Sequence, residues 1–276
     1  MRSSKEIIKL VIAVAAADDL IRAVSMEGSR VDPAARQDQY QDFDITYYVT
    51  DMRAFYNNPD WVTKRFGELL IMQMPEAMRR PDGGGHFNYM MIFPDGTRLD
   101  LTCQPIGHVV VGEPSVTLLD KDSKMGYQQL NGSFFNVKPP SPLDYYSCCN
   151  DFWWCLNNVA RGIARDELAY VMGMLNTVIR PELHDMVDWH IGAQHDFQLS
   201  TGKLGRYYKQ LLSPEFYARY AATYSDSDYA NIQSALYIMC DLFHELAVDV
   251  AMQMGFSYRQ DEEDGMRSYL GMMLDV

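Results

Sequence analysis

The segment from residue 41 to residue 50 constrains the fold most strongly, because apolar and polar side chains alternate along it. Such alternation is typical of a β-strand with one buried face, since successive side chains of a strand point to opposite sides. Asp42 and Asp44 then share the face opposite to the core, a few ångströms apart. The chain must therefore build a sheet with one buried face and with carboxylates on the other. The predicted core-facing residues are Phe43, Ile45, Tyr47 and Val49.

The pair Asp42 and Asp44 predicts a cation site, because two parallel carboxylates repel each other unless a cation lies between them. Oxygen ligands suit Mg²⁺, which proteins commonly hold with one or two carboxylates and the phosphates of a substrate. The alternative interpretation is a strand entry with two solvated acids, because an Asp-x-Asp pattern is short.

Two further features favour the metal interpretation. Gly28 and Ser29 follow an apolar run, residues 20–26, that predicts a strand, and a Gly-Ser turn lets backbone N–H groups approach an anion closely. Asp100 lies on a second alternating strand, residues 98–102. Three strand-borne carboxylates and a phosphate-binding turn predict a two-metal site for phosphoryl or nucleotidyl transfer.

Five segments together resemble the aminoglycoside 6-adenylyltransferases of the nucleotidyltransferase superfamily. The superfamily signature is a Gly-Ser turn, a spacer, an Asp-x-Asp and a later strand Asp, and here twelve residues separate Ser29 from Asp42. The resemblance spans most of the chain, and the similar enzymes have a similar length. The segments are residues 26–30 (MEGSR), 41–47 (QDFDITY), 99–102 (LDLT), 148–153 (CCNDFW) and 199–203 (LSTGK).

The resemblance implies an enzyme that transfers AMP from ATP to a hydroxyl of an aminoglycoside, streptomycin at its 6-position, and so gives antibiotic resistance. It implies ATP as co-substrate and two Mg²⁺ ions held by Asp42, Asp44 and Asp100. These three acids are also the implied catalytic residues, and Asp100 either shares the second metal or takes the hydroxyl proton. The implied nucleotide-binding residues are Gly28, Ser29, Arg30 and Lys203, and the implied acceptor-binding residues are Glu27, Asp151 and Trp154.

Several of these assignments have alternatives. The aromatic residues 152–154 either fill a helix core or provide an indole that covers the acceptor sugar. Lys203 is either a solvated loop lysine or a phosphate contact. The acceptor is alternatively a lincosamide, another small molecule or a protein hydroxyl, and the chain is alternatively an inactive nucleotide-binding regulator. Retention of all three acids argues against a regulator.

Net charge limits the partners of the chain. With 276 residues, a net charge of −13 and an isoelectric point near 4.8, it would repel nucleic acid and attract a cationic acceptor. No stretch has the length and apolarity of a membrane span, and the five cysteines lie in apolar contexts without the spacing of a zinc site. We therefore expect a cytoplasmic monomer with reduced thiols that binds neither nucleic acid nor membrane.

The order of predicted elements indicates an α+β chain with two domains. The first, residues 1–138, is a nucleotidyltransferase-like mixed β-sheet with flanking helices. The second, residues 139–276, is a helical bundle that binds substrate. The boundary is placed where proline and glycine are frequent, in residues 131–142.

Local signals add three expectations about helices. Ser3 and Glu6 predict a capping box at the start of the first helix. Pro181 predicts a kink in the second long helix of the bundle. The tail after Asp261 is acidic and is expected to be loosely held.

Overall fold

The computed structural model of the protein describes residues 1–33, 35–79, 84–107, 114–125 and 133–274. The chain forms two compact units, Met1–Phe134 and Phe135–Val276, and the division lies close to the boundary predicted at residue 138. The first unit contains a sheet with helices and the second is helical, so the predicted fold class is confirmed.

Six strands form one mixed sheet in the first unit. They are β1 (Ile21–Glu27), β2 (Phe43–Val49), β3 (Ile71–Gln73), β4 (Phe87–Ile92), β5 (Arg98–Pro105) and β6 (Val116–Asp120). Their order in the sheet is β3-β4-β5-β2-β1-β6. The central neighbours β2 and β5 are parallel, whereas the other described neighbours are antiparallel. The strands β4 and β5 form a hairpin, and the sequence Pro-Asp-Gly-Thr of residues 94–97, a strong turn signal, joins them.

Two helices, α1 (Ser4–Ala16) and α2 (Pro59–Phe66), pack against one face of this sheet. The capping box of α1 is confirmed, because Glu6 N donates to Ser3 Oγ and Ser3 N donates to the Glu6 carboxylate at 2.8 Å. The hydroxyl of Tyr47 donates to the carbonyl of Val11 at 2.7 Å and joins β2 to α1. The core face of β2 is thus covered, which leaves its polar residues on the opposite face. The predicted core residues of β2, Phe43, Ile45, Tyr47 and Val49, are buried.

The second unit is a bundle of helices around an apolar core. The helices are α3 (Pro142–Ala164), α4 (Leu168–Met174), α5 (Arg180–Gln194), α6 (Tyr208–Leu211), α7 (Pro214–Ala222), α8 (Tyr229–Met254) and α9 (Gln260–Leu274). Phe152 of α3 and Phe243 of α8 stack with their ring centroids 3.7 Å apart at the centre of this core. Within the described residues, no helix combines the length and apolarity needed to span a bilayer.

The helical hydrogen bonding changes just before Pro181, near the place where the sequence predicts a kink. Between α4 and α5 the chain forms a wider π-helical turn, Leu175–Ile179, and Arg180 N donates to Leu175 O, five residues earlier. Pro181 follows immediately and has no N–H to donate. The wider turn is a usual way for a helix to accommodate such a break in its hydrogen bonding.

The prediction of a loosely held tail is wrong, because residues after Asp261 form α9 and pack on the bundle. Leu270 is fully buried. Glu263 is also buried, accepts hydrogen bonds from Tyr258 at 2.7 Å and Arg267 at 2.7 Å, and contacts His244. Acidic residues in a first helical turn interact favourably with the helix dipole, so the acidic run favours this helix.

Candidate active site

Asp42, Asp44 and Asp100 lie together on the open face of the sheet. The strands β2 and β5 run parallel with Asp44 directly beside Asp100, and Asp42 lies one residue before the start of β2. Carboxylate oxygens from the three residues all lie within 4.8 Å of one another. The structure therefore brings the three predicted acids into one cluster, called here the carboxylate cluster.

The carboxylate cluster concentrates negative charge in a half-buried place. Burial, followed by the charges of Asp42 and Asp100, raises the pKa of Asp44 from 3.8 to about 7. A bound cation would reverse this shift, because opposite charge favours the ionised carboxylate. Three converging carboxylate oxygens are a donor set that fits a hard divalent cation such as Mg²⁺.

Arg98 belongs to this cluster, although the sequence analysis did not single it out. Its Nε donates to Asp100 Oδ1 at 3.0 Å, and its Nη1 lies 3.6 Å from Asp42 Oδ2. Its positive charge opposes the rise in the pKa of Asp44. The signal was present in the sequence, because Arg98 stands two residues before Asp100 and alternation places both side chains on one face.

Gly28 lies against the carboxylate of Asp44. Its φ of +71° belongs to the left-handed region, and a Cβ built on it would lie 2.0 Å from Asp44 Oδ2. Glycine is therefore required here for two independent reasons, the backbone conformation and the close approach of Asp44. The turn Gly28–Arg30 that follows β1 carries the predicted phosphate-binding residues.

Hydrogen bonds connect this turn to the residues just before β2. Gln41 Nε2 donates to Ser29 O at 3.0 Å and lies 3.3 Å from Ser29 Oγ. Arg30 donates from Nε to Asp42 O at 2.7 Å and from Nη2 to Gln41 O at 2.7 Å, and its guanidinium stacks on Phe43. Arg30 thus fixes the backbone that presents Asp42. Its contact with phosphate stays a prediction.

The open face continues beyond the carboxylate cluster as rows of polar side chains. In the parallel pairing of β2 and β5, Thr46 lies beside Thr102 and Tyr48 beside Gln104. These rows border a cavity of about 430 Å³, called here the sheet cavity. Its lining residues are Glu27, Thr46, Tyr48, His86, Asn88, Thr102, Gln104 and Ser115.

Glu27 lies between the carboxylate cluster and the sheet cavity. It ends β1 opposite Asp44 in the antiparallel β1–β2 pair, and it lines the sheet cavity. Ser25 Oγ donates to Glu27 Oε1 at 2.9 Å. The predicted acceptor-binding carboxylate is therefore placed within the first unit, next to the acids of the carboxylate cluster.

A buried glutamate, Glu76, contacts two residues that line the sheet cavity, and it was not among the predicted site residues. Glu76 is 7% exposed and accepts hydrogen bonds from Asn88 N at 2.8 Å and Asn88 Nδ2 at 2.7 Å. Its Oε1 also lies 3.3 Å from Nε2 of His86. The amide of Asn88 in turn accepts a hydrogen bond from Thr102 at 2.6 Å. No local pattern reveals this network, because Glu76 lies in a short 3-10 turn, Pro75–Ala77, that is separated from β4 in the sequence.

The remaining predicted residues lie in the second unit. Asp151 and Trp154 are exposed on α3, with Trp154 67% exposed, whereas Trp153 is buried in the core. The aromatic cluster therefore contains both a core tryptophan and a surface tryptophan. Lys203 is exposed and begins a short turn, Lys203–Gly205.

Comparisons with known proteins identify the family of the chain. The sequence profile of the streptomycin adenylyltransferase family matches residues 1–273. An aminoglycoside 6-adenylyltransferase of Bacillus subtilis (strain 168) is 34% identical over 277 aligned residues, and the match covers 98% of this chain and 97% of the relative. Another, from Campylobacter jejuni, is 35% identical over 275 aligned residues, and the match covers 94% of this chain and 91% of the relative.

A solved structure is similar over nearly the whole chain. The crystal structure of an aminoglycoside 6-adenyltransferase from Bacillus subtilis matches with a TM-score of 0.50 and 31% identity, and the match covers 99% of both chains. The family profile, the two relatives and the solved structure each match nearly the whole chain. The chain is an adenylyltransferase and belongs to the streptomycin adenylyltransferase family.

Proposed function

We propose that this enzyme transfers AMP from ATP to a hydroxyl of an aminoglycoside, the 6-hydroxyl of streptomycin, and so confers antibiotic resistance. The observation that carries the proposal is the carboxylate cluster beside the Gly28 turn, in a chain that belongs to this family. Two relatives named for 6-adenylylation of aminoglycosides support the choice of acceptor.

We propose that Asp42, Asp44 and Asp100 hold Mg²⁺, with two ions during the reaction. The carboxylate oxygens within 4.8 Å of one another and the raised pKa of Asp44 support a cation at this place. Bound Mg²⁺ would neutralise phosphate charge and make the acceptor hydroxyl more acidic. A metal-free cluster would be partly protonated at neutral pH, since the pKa of Asp44 is about 7.

The residues of the chain would position both substrates for an in-line displacement. The backbone of the Gly28–Ser29 turn, with Arg30 and Lys203, would bind the triphosphate. The acceptor oxygen would form its bond to the α-phosphorus as the bond to pyrophosphate breaks. Asp100 would take the hydroxyl proton if it does not serve as a metal ligand alone.

The acceptor would be recognised by negative charge and by an exposed ring. Glu27 and Asp151 would pair with guanidinium or ammonium groups, and Trp154 would cover one face of a sugar. The net charge of −13 favours a cationic acceptor over a neutral one. The five free cysteines and the use of ATP support a cytoplasmic location, and we propose that the enzyme acts as a monomer.

A pyrophosphate-release assay tests this function. The purified chain would be incubated with ATP and Mg²⁺ and with each member of a panel that includes streptomycin, other aminoglycosides and a neutral lincosamide. We expect release with streptomycin, formation of one adenylylated product, and no reaction for Asp42→Asn. Release that requires a lincosamide or a protein acceptor, or no release with any acceptor, would refute the proposed substrate.

A further inference from the structure

The sheet cavity has the size and position of a subsite for one ring of a substrate. Its volume of about 430 Å³ lies in the range of small-ligand pockets, near the lower end. Two residues along a strand advance by about 7 Å, so the row of Thr46 and Thr102 begins about 7 Å from the row of Asp44 and Asp100. A ring in this cavity could therefore present a hydroxyl to the carboxylate cluster.

The charge of the described lining of the sheet cavity disfavours the triphosphate as its occupant. The described residues that line it include the carboxylate Glu27 and no lysine or arginine. His86, which belongs to the described lining, lies 3.3 Å from the buried carboxylate of Glu76. A phosphate chain would be repelled here, whereas a guanidinium or ammonium group would be attracted.

The hydrogen-bonding groups of the sheet cavity suit a hydroxylated ring. Thr46, Thr102 and Gln104 offer both donors and acceptors on neighbouring strands. Thr46 is only 4% exposed, and its side chain lines the cavity beside Thr102. A polar ligand atom in the cavity could therefore form a hydrogen bond with a hydroxyl that bulk solvent barely reaches.

The sheet cavity and the Gly28 turn lie on different sides of the carboxylate cluster. Asp42, whose backbone is tied to the turn through Arg30 and Gln41, precedes Asp44 along β2, whereas Thr46 and Tyr48 follow it. An in-line displacement needs the acceptor and the leaving group on opposite sides of the reacting phosphorus. Placing phosphates at the turn and the acceptor in the cavity meets this requirement.

We propose that the sheet cavity binds the hydroxylated, cationic ring of the acceptor, with Glu27 as its charged partner and the Thr46 hydroxyl as a hydrogen-bonding contact. This inference rests on the proposed aminoglycoside acceptor and names the subsite in the first unit that holds it. The ring would direct one hydroxyl toward Asp100, which lies two residues before Thr102 on β5.

Calorimetric titrations test the subsite with streptomycin and, separately, with ATP and Mg²⁺. Thr46→Val keeps the shape of the side chain and breaks no hydrogen bond found in the described protein. We expect it to weaken streptomycin binding about 3- to 10-fold, as for loss of one neutral hydrogen bond. Glu27→Gln should weaken it about 10- to 100-fold, as for loss of a charged partner. Affinity for ATP with Mg²⁺ should stay within about 2-fold in Thr46→Val.

The matched control is Thr63→Val, a change of the same kind on α2, where Thr63 is exposed. It should leave both affinities unchanged. Weakened ATP binding with normal streptomycin binding in Thr46→Val would assign the cavity to the nucleotide and overturn the proposal, as would two unchanged affinities. Failure of the proposed function is distinguishable, because the wild-type enzyme would then neither bind nor adenylylate streptomycin.

Discussion

Replacing Gly28 with alanine separates backbone strain from the positioning of a catalytic carboxylate. A Cβ at residue 28 would lie 2.0 Å from Asp44 Oδ2, and ordinary contact begins at 3.4 Å. One of the two groups must therefore move by about 1.4 Å, the difference between these distances. Asp44 is the group that would yield, because a side chain moves more readily than the backbone that joins β1 to its turn.

The expected cost to catalysis is much larger than the cost to stability. Displacement of a catalytic group by about 1 Å can lower the rate about 100-fold, so we expect at least this loss in kcat for Gly28→Ala. Because the φ of +71° is left-handed, alanine at this position should lower the free energy of unfolding by about 1–2 kcal/mol.

Gly255→Ala is the matched control for the backbone cost. Gly255 follows α8 with a φ of +73°, and no atom lies within 4 Å of a Cβ built there. Both variants should lose about 1–2 kcal/mol in urea-induced unfolding. Only Gly28→Ala should lose AMP transfer in a single-turnover assay and weaken Mg²⁺ binding in calorimetry.

Two results would refute this reasoning. If Gly28→Ala keeps turnover within about 3-fold of the wild type, the carboxylate of Asp44 does not need its present place. If Gly255→Ala loses as much turnover as Gly28→Ala, the loss reflects stability and not the displaced carboxylate.

Four further predictions follow from the electrostatics and packing of the chain. In EDTA, protonated Asp44 should stabilise the fold fully below the pKa of its unfolded form, about 4, and this contribution should be lost as pH rises through its raised folded pKa of about 7; urea unfolding at pH 5 and pH 8 should therefore show a difference of at most about 3 kcal/mol that Asp44→Asn lacks. Asp100→Asn should lower kcat about 10²- to 10⁴-fold in single-turnover transfer while calorimetry still detects ATP with Mg²⁺, and near-normal turnover would remove Asp100 from the mechanism. The affinity for streptomycin should weaken as salt rises above physiological ionic strength, where charges are screened within about 8 Å, and a salt-independent Kd would contradict capture by charge. Leu270→Ala should lower the free energy of unfolding by about 2–5 kcal/mol because Leu270 is fully buried, and an unchanged urea midpoint would contradict the packing of α9.

Several features of the fold could be predicted because they depend on short stretches of sequence. The capping box of Ser3 and Glu6 and the hairpin around residues 94–97 each follow from residues within a few positions. The two faces of β2 follow from a repeat of two residues, so the sequence alone predicts that Asp44 lies opposite to the core.

The carboxylate cluster could not be predicted from local sequence patterns alone. Alternation placed Asp42 and Asp44 on one face, but only the parallel pairing of β2 with β5 sets Asp100 directly beside Asp44. These strands are distant in the sequence, and nothing in either segment determines the register between them. The expectation that Asp100 joins the pair rests on its place in a second alternating strand, residues 98–102, and on the family resemblance.

Only the tertiary structure determines which side chains contact the predicted site residues and whether the segment after Asp261 packs on the bundle. Arg98 of β5 contacts Asp42, which precedes the neighbouring strand β2, and Glu76 contacts Asn88 from a short 3-10 turn, Pro75–Ala77. The acidic start of α9 suggested a solvated tail, yet Leu270 finds a buried place in the bundle. Each outcome depends on which surfaces meet after folding, and packing energy between distant segments is not expressed in the periodicity of either one.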